Sequence, residues 1–439
     1  MKTIVAKFGG SSLADAEHFR RVGEILRADP ARRFAVASAP GKRSGADTKV
    51  TDLLYRCYDL AADRGDFSPV LAEIRGRFAD IAGALGVDFP LDAELEKIEA
   101  ALKSDPQRDY MASRGEYLNS RLLAAWLGWS FLDAADFVRF RADGSFDAET
   151  TNELLSAALA GTERAVLPGF YGADDTGRVH TFSRGGSDVS GSLAARAAGA
   201  DLYENWTDVS GVLYTDPRIV KDPTPIPWIT YRELRELSYM GASVLHEDAV
   251  FPVRKAGIPI NIRNTNRPQD PGTMIVAELP AGAETPPVTG VAGRKGFEAV
   301  LVEKSMMNGE VGFAAKLLDI FAAKGVPFEH CPTGIDTMSV VVTEALFAPH
   351  REELLAEVEA QLHPDHMKLE EHLAMIAVVG RGMAGNKGIA ARVLGAVTAA
   401  GVNIRMIDQG SSELNIILGV DEADYETAVR GICAEVFGK

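Results

Sequence analysis

Two glycine-glycine turns constrain this chain more than any other feature. Lys7-Phe8-Gly9-Gly10-Ser11-Ser12 and Arg184-Gly185-Gly186-Ser187-Asp188 lie about 175 residues apart, and each reads as following a short apolar strand and opening a helix. Such a turn leaves backbone N–H groups facing outward, and the helix dipole favours an anion there. Each turn also carries one cation, Lys7 or Arg184. Neither is a GxxxxGK[ST] loop or a GxGxxG fingerprint, and alone either would be an ordinary strand-helix connection. Together, two cradles on one sheet suit the two anionic partners of a phosphoryl transfer between small molecules.

Strand and helix signals alternate through the first 275 or so residues. Thr3–Phe8, Phe34–Ala39, Ala165–Gly169, Leu202–Trp206 and Ile258–Ile262 read as strands; Ala14–Leu26, Asp52–Asp63, Leu95–Leu102, Tyr117–Leu127 and Val189–Ala198 read as helices. This predicts an α/β fold with a mostly parallel sheet covered on both faces. The helical excursion from Asp47 to Leu127 is long enough to form a lid or a dimer surface besides a crossover. A proline-rich, small-residue stretch at 277–287 reads as an exposed linker. Beyond it, Gly312-Phe-Ala-Ala-Lys-Leu-Leu318 matches Gly388-Ile-Ala-Ala-Arg-Val-Leu394, Gly325 matches Gly401, and Gly334 matches Gly410, each pair 76 residues apart. One constant offset predicts two copies of a small β-α-β module.

Composition excludes several classes. A net charge of −16 over 439 residues argues against general nucleic-acid or anionic-membrane binding, so positive charge for an anionic ligand must be local, at Lys7, Arg184 and Arg218. The three cysteines, Cys57, Cys331 and Cys433, form no CxxC pair and fit a reduced cytoplasm. The N-terminus reads as a first strand and not a targeting signal, and no apolar run approaches the ~18 residues that span a bilayer. The eight histidines show no metal-ligand spacing, so no protein metal site is predicted.

Trp206-Thr-Asp-Val-Ser-Gly-Val-Leu-Tyr-Thr-Asp-Pro-Arg218 follows a strand and so belongs at the carboxyl edge of the sheet, where ligands of open α/β sheets gather. Thr207 and Asp208 offer polar acceptors, Tyr214 a stacking face, and Asp216-Pro217-Arg218 a turn ending in a phosphate-binding cation; a merely structural loop with Tyr214 packed inside it is the alternative. Gly115-Glu116 reads as the opening of a helix, where Glu116 either favours the dipole or holds a substrate ammonium group.

With Ser38-Ala39, Thr51-Asp-Leu-Leu54, Gly241–His246, Ile376–Gly382 and Asn403–Asn415 added, these motifs resemble the aspartokinases of the monofunctional type with two C-terminal ACT modules, over nearly the whole chain. The resemblance implies a three-layer α/β/α kinase domain over residues 1–280, then two ferredoxin-like ACT modules at 288–370 and 371–439, the opening strand of the first belonging to the second. It implies transfer of the γ-phosphoryl group of MgATP to the side-chain carboxylate of L-aspartate, opening the route to lysine, threonine and methionine, in a cytoplasmic homodimer or larger oligomer held by the ACT modules. No dehydrogenase fused as in the bifunctional relatives is expected.

The same resemblance assigns residues. Lys7 stabilises the transferring group, and Gly9, Gly10 and Ser11 shape its cradle. Arg184 clamps the substrate carboxylate, Glu116 and Asp188 sit near its ammonium group, and Thr51 and Ser187 add contacts. Thr207, Asp208, Tyr214, Asp216, Arg218 and the segment of Ser243 line the nucleotide site, with Mg²⁺ held chiefly by phosphates. Ser243 departs from a common family lysine, for which Arg218 or Lys221 would compensate. Met307, Glu310, Phe328 and Glu329 are the expected effector contacts, lysine being favoured over threonine because Glu329 suits an ammonium group. Glutamate or N-acetylglutamate kinases, and a catalytically dead amino-acid sensor, are the rival readings.

Overall fold

The computed structural model describes residues 2–183, 185–242, 245 and 247–438, with only the backbone of Glu247 and Asp248. Arg184 and Ser243 therefore lie outside the described residues. The chain divides into two compact units, the first comprising 1–212, 225–232 and 244–281, the second 213–224, 233–243 and 282–439.

The first unit is built on an eight-stranded sheet in the order Trp228–Thr230, Thr273–Val276, Ile260–Asn264, Leu202–Thr207, Ile4–Phe8, Arg32–Ala37, Ala165–Pro168, Ser130–Phe131. The six strands from Ile260–Asn264 onward are mutually parallel; Thr273–Val276 runs antiparallel to Ile260–Asn264 and parallel to Trp228–Thr230. Parallel strands covered on both faces need continuous apolar runs. The first strand, Ile-Val-Ala-Lys-Phe, is buried at all five positions, which makes its lysine conspicuous. The strand order turns about this strand, with Arg32–Ala37 on one side and Leu202–Thr207 on the other, the kind of switch point at whose carboxyl ends ligands of open α/β sheets bind.

Helices take their places for local reasons. Ala16–Ala28 starts where the Asp15 side chain accepts from the N–H groups of Glu17 and His18, and it buries Phe19, Val22, Ile25 and Leu26 on one stripe. The excursion after the second strand forms four helices, Val50–Ala62, Ser68–Leu85, Leu91–Ser104 and Arg108–Leu127. Leu54, Phe78, Ile98 and Leu118 from these share one core with Phe8 and Trp206 of the sheet.

In the second unit a five-stranded antiparallel sheet is organised by two long strands, Gly290–Glu303 and His366–Val379. Residues 297–303 pair with 337–343 on one side, and 299–303 pair with 366–370 on the other. Residues 373–379 pair with 415–421 on one side, and 375–379 pair with 290–294 on the other. The second module thus takes an edge strand, 290–294, from the first module's stretch of sequence. Both strands bend at the changeover, with Gly296 at φ 87°, His372 at φ 57° and the register shifting between Arg294 and Ala299. The repeat is explicit in the backbone. Phe313–Ala323 and Ile389–Ala399 begin at Gly312 and Gly388, whose φ values of 88° and 90° suit a residue without a Cβ.

Candidate active site

Lys7 and Asn205 are register partners on adjacent central strands and point to the same side of the sheet. Asp188, in the first turn of the helix Gly186–Ala197, completes the group. Its Oδ1 lies 2.5 Å from Lys7 Nζ and accepts from Asn205 Nδ2 at 2.7 Å. Its backbone carbonyl accepts from the Tyr203 hydroxyl at 3.2 Å. The ammonium group is thereby held at the carboxyl edge by a carboxylate that an amide fixes in turn.

The first glycine turn caps that edge. Gly9 N donates to Trp206 O at 3.1 Å, and Gly10–Leu13 form one 3-10 turn whose first bond runs from Ser12 N to Gly9 O at 3.0 Å. The N–H groups of Gly10 and Ser11 precede that bond and have no partner within the turn. A Cβ on Gly9 would stand 3.7 Å from Lys7 Nζ, in the space before the ammonium group. A Cβ on Gly10 would meet Ala39 O at 2.8 Å, so this glycine is required by the neighbouring loop. Ser11 is exposed, while Ser12 is buried and shares a 2.7 Å hydrogen bond with Thr265.

Glu116 does not open a helix. It lies in the middle of Arg108–Leu127, so no helix N-terminus acts on it. Gly115 is there for contact, since a Cβ would stand 2.7 Å from that of Ala39. Burial raises the Glu116 carboxyl to about 8, against the opposing backbone hydrogen bond from Ala39, and its Oε2 has no partner among the described residues. A buried carboxyl held neutral, one oxygen unused, is prepared to ionise toward a cation. Thr51 is the second residue of Val50–Ala62. Ser187 packs so closely on the Gly169 backbone that a Cβ there would meet its own at 2.7 Å.

Residues 206–218 do not act as one segment. Thr207 and Asp208 belong to the first unit, joined by a 3.2 Å hydrogen bond, while 213–224 group with the second. Tyr214 is 3% exposed, its ring 4.2 Å from that of Phe437, so the stacking face expected of it is occupied. Arg218 is exposed and folds back on Asp216 at 2.6 Å. Among the expected effector residues, Met307 is in the core of the first module and Phe328 is exposed. Glu310 pairs with Lys304 at 2.7 Å. The carboxylate of Glu329 is already engaged, accepting from the Tyr239 hydroxyl and meeting Arg294 at 3.0 Å.

The residues that motif reading missed are Asn205 and Asn119. Asn119 Nδ2 donates to Ser38 O at 2.7 Å, and its Oδ1 is buried without a partner among the described residues. Both were detectable as amides within buried stretches, Asn205 in a central strand and Asn119 one turn after Glu116. No group of three His, Cys, Asp or Glu suited to a metal occurs among the described residues, and no described helix is long and apolar enough to cross a membrane.

Residues 2–264 match the amino acid kinase family, and residues 376–436 match an ACT domain. The chain is 40% identical to aspartokinase 3 of Bacillus subtilis, covering 99% of this chain and 98% of that one. It resembles the solved aspartate kinase of Clostridium acetobutylicum with a TM-score of 0.89 at 45% identity, over 99% of this chain and 100% of the other. Aspartokinase III of E. coli has been solved with aspartate and ADP in an R-state and with lysine and aspartate in a T-state. Those structures give TM-scores of 0.76 and 0.74 at 25% and 26% identity, over 99% and 100% of this chain and 100% of each of theirs.

Proposed function

The chain belongs to the aspartokinases of the amino acid kinase family, and from that membership we propose how its residues divide the transfer of the γ-phosphoryl group of ATP to the side-chain carboxylate of L-aspartate. The acceptor, with an ordinary pKa of about 3.9, is already ionised at neutral pH and needs no base. One carboxylate oxygen forms a bond to the γ-phosphorus, the bond to the bridging oxygen breaks, and ADP leaves with that electron pair. No proton moves. The barrier is the approach of two anions, so positioning and charge neutralisation carry the catalysis.

Lys7 supplies the neutralising charge and Asp188 with Asn205 aims it. Gly9, Gly10 and Ser11 receive the phosphates, Thr207 and Asp208 the rest of the nucleotide. Glu116 takes the substrate ammonium group, Thr51 and Ser187 add contacts, and Arg184 is assigned the α-carboxylate by family resemblance alone. Bound Mg²⁺ would offset phosphate charge.

The single observation that carries the reading is the Lys7–Asp188 pair at the switch point of the sheet, opening on the space before Gly9. Acyl phosphate trapped with hydroxylamine from L-aspartate, L-glutamate and N-acetyl-L-glutamate tests it; product from aspartate alone is expected, and none from aspartate would reject it. The ACT modules are assigned lysine as inhibitor, in keeping with the E. coli relative. Because Glu329 is held by Arg294 and Tyr239, lysine binding there requires that cluster to open. A millimolar titration without effect on activity would remove lysine as the effector. Exposed Met306, Val311, Phe328 and Ile335 in the first module support a homodimer or larger, measurable by light scattering.

A further inference from the structure

We propose that Arg77 is a positioning residue for phosphoryl transfer, acting on the glycine turn at Gly10 through the loop that contains Gly41. The inference rests on the reading of Gly9–Ser11 as the phosphate cradle. Arg77 lies on the helix Ser68–Leu85 and is 2% exposed. Its guanidinium donates to Gly41 O at 2.8 Å, to Thr48 O at 3.1 Å and, at the longer 3.4 Å, to Ala14 O. Asp47 pairs with it at 3.0 Å.

Gly41 N in turn donates to Gly10 O at 2.8 Å. The two loops touch backbone to backbone. A Cβ on Gly41 would stand 2.7 Å from the Gly10 carbonyl carbon, and one on Gly10 would stand 2.8 Å from Ala39 O. With no side chain between them to absorb a shift, displacement of the Gly41 loop passes to the cradle. The carbonyl of Ala14, just beyond the 3-10 turn, ties the far end of the cradle to the same cation. Thus one buried group fixes the turn from both ends.

The chemistry suits arginine and no other side chain. Three carbonyls and a carboxylate must be met from one buried point, which a forked five-donor cation does and an ammonium group does not. Its Nε is left unpartnered among the described residues, and burial opposes its charge. Asp47 offsets that cost, itself held well below the usual carboxylate range by Arg43 and Arg77. Arg43 closes the solvent side of Asp47 at 3.0 Å. A buried ion pair is poor at adding stability and well suited to fixing one geometry.

The test uses Arg77→Lys, Asp47→Asn and, as a control inside the cradle, Gly9→Ala, all in the full chain. ATP affinity is read by calorimetry, KM for ATP and aspartate by steady-state kinetics, and folding by thermal melting. Arg77→Lys is expected to weaken ATP about tenfold while KM for aspartate moves less than about threefold, with Asp47→Asn shifting ATP in the same direction by about threefold. Loss of activity only in proportion to unfolded protein, or an equal change in both KM values, would show a merely structural role and overturn the inference. If Arg77→Lys fails to fold, Asp47→Asn decides, and unchanged ATP affinity there overturns it. If Gly9→Ala weakens ATP and Arg77→Lys does not, the inference falls while the cradle stands. If Gly9→Ala leaves ATP affinity unchanged, the cradle reading falls and takes the inference with it.

Discussion

Glu116 shows what burial does to a carboxyl group that has no cation of its own. With its carboxyl raised from 4.5 to about 8, it is mostly protonated at neutral pH in the free protein. Binding an ammonium group requires the charged form, so aspartate should displace a proton. Affinity should then climb with pH by up to about tenfold per unit below 8 and level off above it. Calorimetry in two buffers of different ionisation enthalpy checks the proton release. Stability has the opposite sign. Between 4.5 and about 8 the unfolded chain has lost a proton that the folded chain keeps, so stability falls as pH rises through that window. Glu116→Gln should flatten this slope and raise the melting temperature at pH 8, by a few kcal/mol in stability terms, while weakening aspartate at least about tenfold. A variant that melts like the parent at pH 8 would contradict it.

At the scale of elements, packing distance explains more than propensity. The helix Gly186–Ala197 lies so near the strand Leu202–Thr207 that a Cβ on Gly191 would stand 2.5 Å from the Tyr203 hydroxyl. Gly191→Ala gains about 1 kcal/mol of helix propensity and loses about 1–3 by overpacking, so a lower melting temperature is expected. Because that hydroxyl supports the carbonyl of Asp188, kcat should fall as well, and steady-state assays will show it.

The same distances mark where the sequence was readable. Central strands were legible as apolar runs, and Lys7 was legible as a cation inside one. The position of Glu116 was misread because Gly115 resembles a helix breaker; its purpose is contact with Ala39, which lies on another element. For Tyr214 the packed alternative holds and not the stacking one; its partner, Phe437, is contributed by the last helix, and no local pattern reveals that pairing. Arg77 carries no sequence signal, because the carbonyls it meets belong to residues 14, 41 and 48, far from it along the chain.

For the whole molecule, the sequence order of the chain and its division into units disagree in an instructive way. The helix Tyr231–Tyr239 begins in the first unit and continues in the second. Its Glu233 accepts from Thr289 at 2.7 Å and from Arg381 N at 3.1 Å, its Glu236 accepts from Asn415 at 2.6 Å, and its Tyr239 donates to Glu329. One covalent element is thereby fastened to residues of both modules. Asn415→Ala, which removes one fastening without touching the kinase residues, should shift the lysine concentration for half-inhibition several-fold, read directly from dose-response curves.

The edge strand that the second module takes from ahead of the first limits how the regulatory half can be recombined. A chimera that replaces 371–439 with a relative's segment severs 290–294 from the sheet it completes, and leaves 366–370 joined to a foreign continuation. Donor segments would have to be taken as the whole of 282–439, or spliced at the bends of Gly296 and His372, where both long strands already change partners. The duplication visible in the glycine landmarks thus left two copies that are no longer separately heritable parts.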